Sequence, residues 1–346
     1  MYPPSLNGYN PLSQWKRRSR QVGAGAYADN GGGRPLALMF RAGAEVDTYD
    51  QRWLRAANVA AALVHTAQAA AATAVVVAHP TPAVAVTTTV LSGPPSSGAL
   101  VVYVVGDARP DVLILCFFWL CAVAHWGIAL PPLWDLYLKN VSEGRNSLRW
   151  LEYFFSSSFM VLNLCLLTGL REVSTLTLAF AANGSMILFG DAAERAAQFT
   201  RTRRMHNPKA IGGSHEDVAA PPWADWRFGE YSDSFRFYLY GFVGFLAVWV
   251  PLLWYFGKAA EAAGLPAWLY AAEIGEFLAF ASFAVPMALQ QSGVGLRCCR
   301  RRAERYGAAT GEPDVYLEGE YAYIALSLLS KSYLGWLQLG AALAGG

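Results

Sequence analysis

The sequence has 346 residues, of which 54% are hydrophobic, 14% aromatic and only 15% charged. An average soluble domain carries about 25% charged residues, so lipid is indicated as the main solvent, and a net charge of +2 is too small to suggest a nucleic-acid partner. Five scattered cysteines offer neither a disulfide framework nor a metal site, because zinc needs about four nitrogen or sulfur ligands at set spacing.

Residues 1–52 are polar, rich in Gly, Pro and Arg, and lack an apolar signal segment, which predicts a flexible cytoplasmic tail. Residues 53–344 contain seven stretches of the length that a helix needs to cross a bilayer. These predicted spans lie near residues 54–78, 111–131, 148–170, 174–192, 236–257, 266–290 and 319–343. The predicted fold class is therefore an all-α membrane protein, a seven-helix bundle.

The basic residues indicate how the bundle is oriented. They concentrate in the tail and in the loops after the second, fourth and sixth spans, whereas the other loops contain only Arg109, Arg171 and Lys258. Loops rich in Lys and Arg stay on the cytoplasmic side of a membrane. The N-terminus is therefore predicted to lie inside and the C-terminus outside.

Two loops are long enough to have structure of their own. Residues 79–110 contain two β-branched runs around a Gly/Pro turn, which predicts an extracellular β-hairpin. Because an isolated hairpin is marginal in water, we expect it to pack on the helices or on a second protomer. The cytoplasmic loop at 193–235 has no strong period and is predicted to be an irregular insertion, either a solvated linker or a partner surface.

Ionisable residues inside the spans are costly and usually functional or paired. Lys331 lies about 16 Å beyond Glu320 along the seventh span, too deep to reach the surface easily. A buried lysine suits Schiff-base chemistry; the alternative is a structural ion pair with a glutamate. Glu152 in the third span is predicted to be its counterion, because the Lys331 side chain leans toward the N-terminus of its helix. The alternative for Glu152 is a pair with Arg149 at the membrane edge.

Two histidines and two glutamates within the predicted spans also stand out. His65 in the first span and His125 in the second should both lie in the cytoplasmic half, where they could accept a proton or simply be satisfied interior residues. Glu273 and Glu276 lie in the outer half of the sixth span. They are either solvated at the interface or part of an outer proton path.

These residues lie in motifs that resemble the heliorhodopsins, a family of rhodopsins with inverted topology. The third-span run from Arg149 to Tyr153, followed by Ser156, Ser158 and Met160, resembles that family's counterion helix, and Ser327 to Trp336 resembles its retinal-lysine helix. His65 with Gln68, and His125, match the family's two histidines. The runs 180–190 and 280–290 resemble its fourth and sixth spans. The resemblance covers about residues 50–342.

The resemblance implies all-trans retinal on Lys331 as a protonated Schiff base, with Glu152 as sole counterion and Ser327 in place of the usual second carboxylate. It implies that Ser330 bonds near Glu152 or the Schiff base. The other implied retinal-site residues are Ser156, Met160, Asn183, Met186, Phe280 and Phe283, and the implied proton-accepting cluster is His65, His125 and Gln68. It further implies a homodimer. Ala281 and Pro286 depart from the family pattern, and Pro286 predicts a kink.

We therefore expect a rhodopsin-like, light-sensing membrane protein rather than an enzyme, whose light signal is passed to a cytoplasmic partner. The first alternative is a light-gated proton conductance, which some viral relatives show, and Glu273 and Glu276 are the residues that favour it. The second alternative is a membrane regulator or transporter-like protein that binds no retinal.

Overall fold

The computed structural model describes residues 48–206, 232–292 and 315–344. Over these residues the chain is mostly helical, with one small antiparallel hairpin. The elements in chain order are α1 (Thr48–Ala78), β1 (Val84–Ser92), β2 (Ala99–Ala108), α2 (Pro110–Ala129), α3 (Leu133–Ser142), α4 (Ser147–Leu167), α5 (Val173–His206), α6 (Ser232–Ala263), α7 (Ala267–Ser282), α8 (Ala284–Ser292) and α9 (Val315–Leu343).

Six helical segments within the described ranges are long and apolar enough to cross a membrane: α1, α2, α4, α5, α6 and the consecutive pair α7–α8. Helix α9 has 29 residues and is long enough, but Lys331, Gln338 and several serines and tyrosines lower its mean hydropathy. These segments coincide in order with the predicted spans. The expected fold class, a rhodopsin-like helical membrane bundle with a β-hairpin, is therefore confirmed, whereas the side of the membrane that each terminus faces stays a prediction.

The long helices pack in a closed ring. Helices that follow one another in the chain are neighbours, and α9 contacts both α7 and α1. The largest buried apolar cluster fills the interior and includes Phe117 from α2, Trp249 from α6 and Leu334 from α9. Because lipid is as apolar as these side chains, close packing and interhelical hydrogen bonds favour this arrangement, and the few polar groups inside the ring must find partners there or face a cavity.

The predicted hairpin forms and docks on the connection between α4 and α5. Strands β1 and β2 pair antiparallel, with an irregularity between Val86 and Thr87. The Thr87 amide donates to the Arg171 carbonyl at 2.9 Å, and the Thr88 hydroxyl donates to Glu172 at 3.4 Å. Packing on the helical part of the chain, one of the two expected arrangements, is therefore observed. The outer positions of β2 remain apolar and exposed.

Glu172 lies just outside the membrane-spanning segments and immediately precedes α5. Its carboxylate accepts hydrogen bonds from the Ser174 hydroxyl and from the Thr175 amide at 3.0 Å. These hydrogen bonds hold the pKa of Glu172 below its usual value, and the bond from Ser174 has the largest effect. The ionised form of Glu172 is therefore favoured where the hairpin meets the start of α5.

Two predicted boundaries differ from the structure. The prediction that an irregular insertion begins at residue 193 is wrong, because α5 continues as a helix to His206. The charged residues of this stretch lower its mean hydropathy, so a search for apolar segments does not detect that the helix continues. Residues 207–231 of the predicted insertion lie outside the described residues, as do residues 1–47 of the predicted tail, while residues 48–52 belong to α1.

The sixth span is interrupted, but not at Pro286 itself. Helix α7 ends at Ser282 and α8 begins at Ala284, so the break falls at Phe283. Proline has no amide hydrogen, and its ring clashes with the carbonyl four residues earlier, which here is that of Ser282. The physical reason for the predicted kink therefore holds, while its position moves toward α7.

Candidate functional site

Lys331 and Glu152 meet in the interior of the ring. Lys331 Nζ lies 3.0 Å from Glu152 Oε1 and 2.6 Å from the Ser327 hydroxyl, one turn earlier on α9. The two charged side chains are 4% and 6% exposed, respectively. Helical side chains lean toward the N-terminus of their helix, which is why Lys331 reaches back to Ser327 and across to α4. The contact expected from the sequence is therefore present.

Arg149, the alternative partner for Glu152, is engaged elsewhere. Its guanidinium forms buried ion pairs with Glu194 on α5 and Glu320 on α9. The Asn146 side chain and the Trp150 indole add hydrogen bonds to these two carboxylates at 2.8 Å. This cluster joins α4, α5 and α9, and it leaves Glu152 free to face Lys331.

An apolar cavity adjoins Lys331, and the empty space within it and its open mouth together is about 930 Å³. Lys331, Ser327 and Ser330 contribute polar groups at α9. The rest of the lining consists mainly of aromatic residues, methionines and glycines from α4 to α8. These residues are Trp150, Tyr153, Met160, Met186, Gly190, Tyr238, Gly241, Phe242, Phe245, Phe280, Phe283 and Met287.

The cavity fits a long apolar ligand with a single reactive end. Its walls supply dispersion contacts along the length of such a ligand, and its nucleophilic side chain is one buried amine. A structural ion pair between Lys331 and Glu152 would require the same 3.0 Å contact but would not require this adjoining space. The cavity therefore favours ligand attachment over a purely structural pair.

Most of the residues expected to contact retinal line this cavity: Met160, Met186, Phe280, Phe283, Ser327, Ser330 and Lys331. Two do not. Ser156 is fully buried one turn beyond Glu152 on α4, and Asn183 donates to the hydroxyls of Ser157 and Ser158 at 2.8 and 3.0 Å. Asn183 therefore braces α5 against α4, and Ser157, to which it donates, lines the cavity, so the expected contact of Asn183 with retinal stays a prediction.

The predicted histidines come together beside the ion pair. Their rings stack with centroids 5.6 Å apart, and His125 Nδ1 lies 3.0 Å from Asn58 Oδ1. His65 is fully buried, and neither ring nitrogen has a hydrogen-bond partner among the described residues. Gln68 is not bonded to either ring, because its amide pairs with Ser332 at 2.8 Å. The expected three-residue cluster is therefore a histidine pair with Gln68 tied to α9.

A smaller cavity connects the counterion region to the Arg149 cluster. It has an empty volume of about 350 Å³, and His125, Glu152, Tyr153, Arg149 and Glu320 are among its lining residues. Polar cavities of sufficient size commonly hold ordered water. This space lies on the side of Lys331 that the sequence predicts to be cytoplasmic.

The two glutamates of α7 are not solvated. Glu273 and Glu276 are both fully buried, so the expectation of an interfacial position is wrong. Ser330 donates to Glu276 at 2.9 Å and not to Glu152, one of the two partners expected for it; the other, the Schiff base, stays a prediction. The reason is angular: consecutive residues on a helix point about 100° apart, so Ser330 faces α7 while Lys331 faces α4.

Three contacts at the site were missed from the sequence. The Cys121 thiol, which lies in an apolar run of the sequence, donates to Glu152 Oε1 at 2.9 Å. Tyr153 places its ring 4.9 Å from Lys331 Nζ, and its hydroxyl bonds the Tyr323 carbonyl at 2.9 Å. The spacing of Trp150, Tyr153 and Ser157 along α4 is the signal that could have found the wall residues.

Comparison with known proteins agrees with this geometry. A family model described as Heliorhodopsin matches residues 54–224 and 227–343, which is most of the chain. The comparison with curated proteins found no match.

Proposed function

The chain belongs to the heliorhodopsin family of retinal-binding, light-sensing membrane proteins, and from this premise we propose that Lys331 holds all-trans retinal as a protonated Schiff base with Glu152 as its counterion. The observation that carries the proposal is the buried 3.0 Å contact between Lys331 Nζ and Glu152 Oε1 beside the apolar cavity. Attachment joins the Lys331 nitrogen to the aldehyde carbon and releases one water.

Retinal, when bound, supplies absorption of visible light and a change of shape about a double bond. The aromatic side chains of α6 and α7 that line the cavity would hold the polyene chain of retinal and exclude water. Glu152 keeps a positive charge on the Lys331 nitrogen, because an opposite charge nearby favours the charged form of a cation. Ser327, which bonds the same nitrogen at 2.6 Å, adds a neutral acceptor and no second negative charge.

The histidine pair is the proposed destination of the Lys331 proton after light. His65 has both ring nitrogens unpaired among the described residues and stacks on His125, which borders the same small cavity as Glu152. A neutral imidazole accepts a proton readily near physiological pH. A transferred proton would remove the charge pair that joins α4 to α9. We propose that this loss lets the helices shift and that a cytoplasmic partner detects the shift.

The arrangement in the membrane belongs to the same proposal. The bias of Lys and Arg among the loops supports a cytoplasmic N-terminus and an extracellular C-terminus. The exposed apolar positions of the hairpin, Leu100, Val102 and Val104, are 62% exposed or more and support a homodimer.

The absorption spectrum of the full chain reconstituted with all-trans retinal tests the attachment. We expect a visible band that Lys331→Ala abolishes. Lys258→Ala is the matched control, because Lys258 is half exposed and pairs with Glu261 on the surface. No visible band would favour the alternative of a regulator without a chromophore. A band that persists in Lys331→Ala would overturn the attachment site.

A light-gated proton conductance is the second candidate, and the buried acids of α7 favour it. Glu273 has no hydrogen-bond partner among the described residues for either oxygen, and Glu276 touches Ser330, the neighbour of Lys331. Such acids in a membrane interior are stable mainly as neutral groups that can pass a proton. Patch-clamp recording under illumination decides: a photocurrent lost in Glu276→Gln but kept in the exposed Glu261→Gln supports conduction, and silence in well-expressing cells excludes it.

A further inference from the structure

Glu152 has a second hydrogen-bond donor besides Lys331. The thiol of Cys121, fully buried on α2, lies 2.9 Å from Glu152 Oε1. Lys331 Nζ lies 3.0 Å from the same oxygen. One carboxylate oxygen therefore accepts from a cation on α9 and from a thiol on α2 at the same time.

Building on the retinal attachment proposed above, we propose that Cys121 is a positioning residue that shares the counterion oxygen with the Lys331 nitrogen and so sets the strength of the counterion. A thiol is a weak donor. It withdraws less negative charge from Oε1 than a hydroxyl at the same place would, and more than a methyl group, which donates nothing. The residue at position 121 therefore determines how much negative charge on Oε1 remains to stabilise the positive charge of the chromophore nitrogen.

The direction of the effect follows from where the chromophore's charge lies. Before light absorption the positive charge is concentrated near the Lys331 nitrogen, and absorption moves it away along the conjugated chain. A stronger negative charge on Glu152 stabilises the first state more and shifts absorption to shorter wavelength. Serine at position 121 should therefore shift the absorption maximum to longer wavelength, and alanine to shorter wavelength.

Other titratable groups also act on the Glu152 carboxylate, so its acid titration must be compared among variants that differ only at position 121. Lys331 faces Glu152 from α9, Cys121 and His125 from α2 and His65 from α1. All except position 121 are unchanged between wild type, Cys121→Ser and Cys121→Ala. The midpoint of the acid colour change, at which Glu152 takes up a proton, should rise by about one pH unit in Cys121→Ala, the size expected for loss of one hydrogen bond to a charged group.

The thiol also gives a direct spectroscopic signal. When light moves the proton from the Lys331 nitrogen, the charge that Oε1 presents to the thiol changes, and the S–H stretching frequency must change with it. Light-minus-dark infrared difference spectra of the wild-type protein should show an S–H band. The band should vanish in Cys121→Ser and persist in Cys165→Ser. Cys165 is a matched control because it is also buried but lies thirteen residues beyond Glu152 on α4, about 20 Å along the helix axis.

The test uses the full chain reconstituted with all-trans retinal. Opposite shifts of the absorption maximum in the serine and alanine variants, with the infrared band assigned to position 121, support the proposal. A visible wild-type band with unchanged maxima in both variants and no light-induced S–H signal overturns the role of Cys121 alone. Absence of any wild-type visible band overturns the attachment, and this inference with it. Cys121→Ser is nearly isosteric, so it carries the test if the alanine variant fails to fold.

Discussion

Replacing Glu152 by glutamine removes the negative charge beside Lys331 while keeping the size of the side chain. At 3.0 Å and an effective dielectric constant of about 20, two unit charges attract each other by about 5 kcal/mol. That energy corresponds to about four pH units. Because the glutamine oxygen can still accept a hydrogen bond from the nitrogen, we expect the chromophore to lose its proton about three pH units lower than in the wild-type protein.

The assay is an absorbance titration of the retinal-reconstituted full chain, in which deprotonation replaces the visible band by one in the near ultraviolet. Glu152→Gln should be largely in the short-wavelength form at a pH where the wild-type protein is coloured. Glu273→Gln is the matched control, since Glu273 is equally buried but makes no recorded hydrogen bond to Lys331. A titration midpoint in Glu152→Gln within half a unit of wild type would refute Glu152 as the counterion.

Three further predictions concern the surroundings of the site. Arg149→Gln leaves Glu194 and Glu320 buried without their cation and should lower the free energy of unfolding by about 3–5 kcal/mol. The control is Arg195→Gln, because the Arg195 side chain is half exposed. A denaturation midpoint of Arg149→Gln no lower than that of Arg195→Gln would contradict the prediction. Gly190→Ala places a Cβ against the Trp150 ring, whereas the Cβ of Gly257→Ala has no atom within 4 Å. Only Gly190→Ala should therefore push Trp150 into the cavity and reduce retinal uptake. Equal uptake in both variants would show that Trp150 moves without entering the cavity. Because the pKa of Glu172 is held low in the folded state, the stability that it contributes is present above the usual value of about 4.3 and is lost as the pH falls through the lowered pKa. The protection of the Thr87 amide, measured as the hydrogen-exchange rate relative to the intrinsic rate at each pH, should decrease in that range in wild type. The same decrease in Glu172→Gln would assign it to another group.

The sequence predicted the features that depend on distance along one helix. Span length follows from bilayer thickness, and the hairpin follows from β-branched runs around a turn. The contact between Lys331 and Glu152 was also predictable, because both the depth of each residue and the lean of its side chain are properties of its own helix. The stacking of His65 and His125 agrees with the equal depth inferred from topology.

Features that depend on rotation about the helix axis were not predictable. Ser330 and Lys331 are adjacent in sequence, yet one bonds Glu276 and the other Glu152. Hydropathy gives no angle for such residues, because an interior helix is apolar over most of its circumference and its hydrophobic pattern has little direction. The same limit explains the unexpected brace formed by Asn183.

What the sequence by itself determined is the class of molecule, the order of its helices and the lysine–glutamate pair, because each rests on local composition or on position along one helix. Only the tertiary structure decided that Arg149 serves Glu194 and Glu320, that Cys121 shares the Glu152 oxygen, and that the α7 acids are sealed from water. The lysine–glutamate pair also joins two helices, but it follows from the matching depth of the two residues. The other three features depend on how each helix is rotated about its own axis, and that rotation is fixed by how the side chains of packed helices interlock.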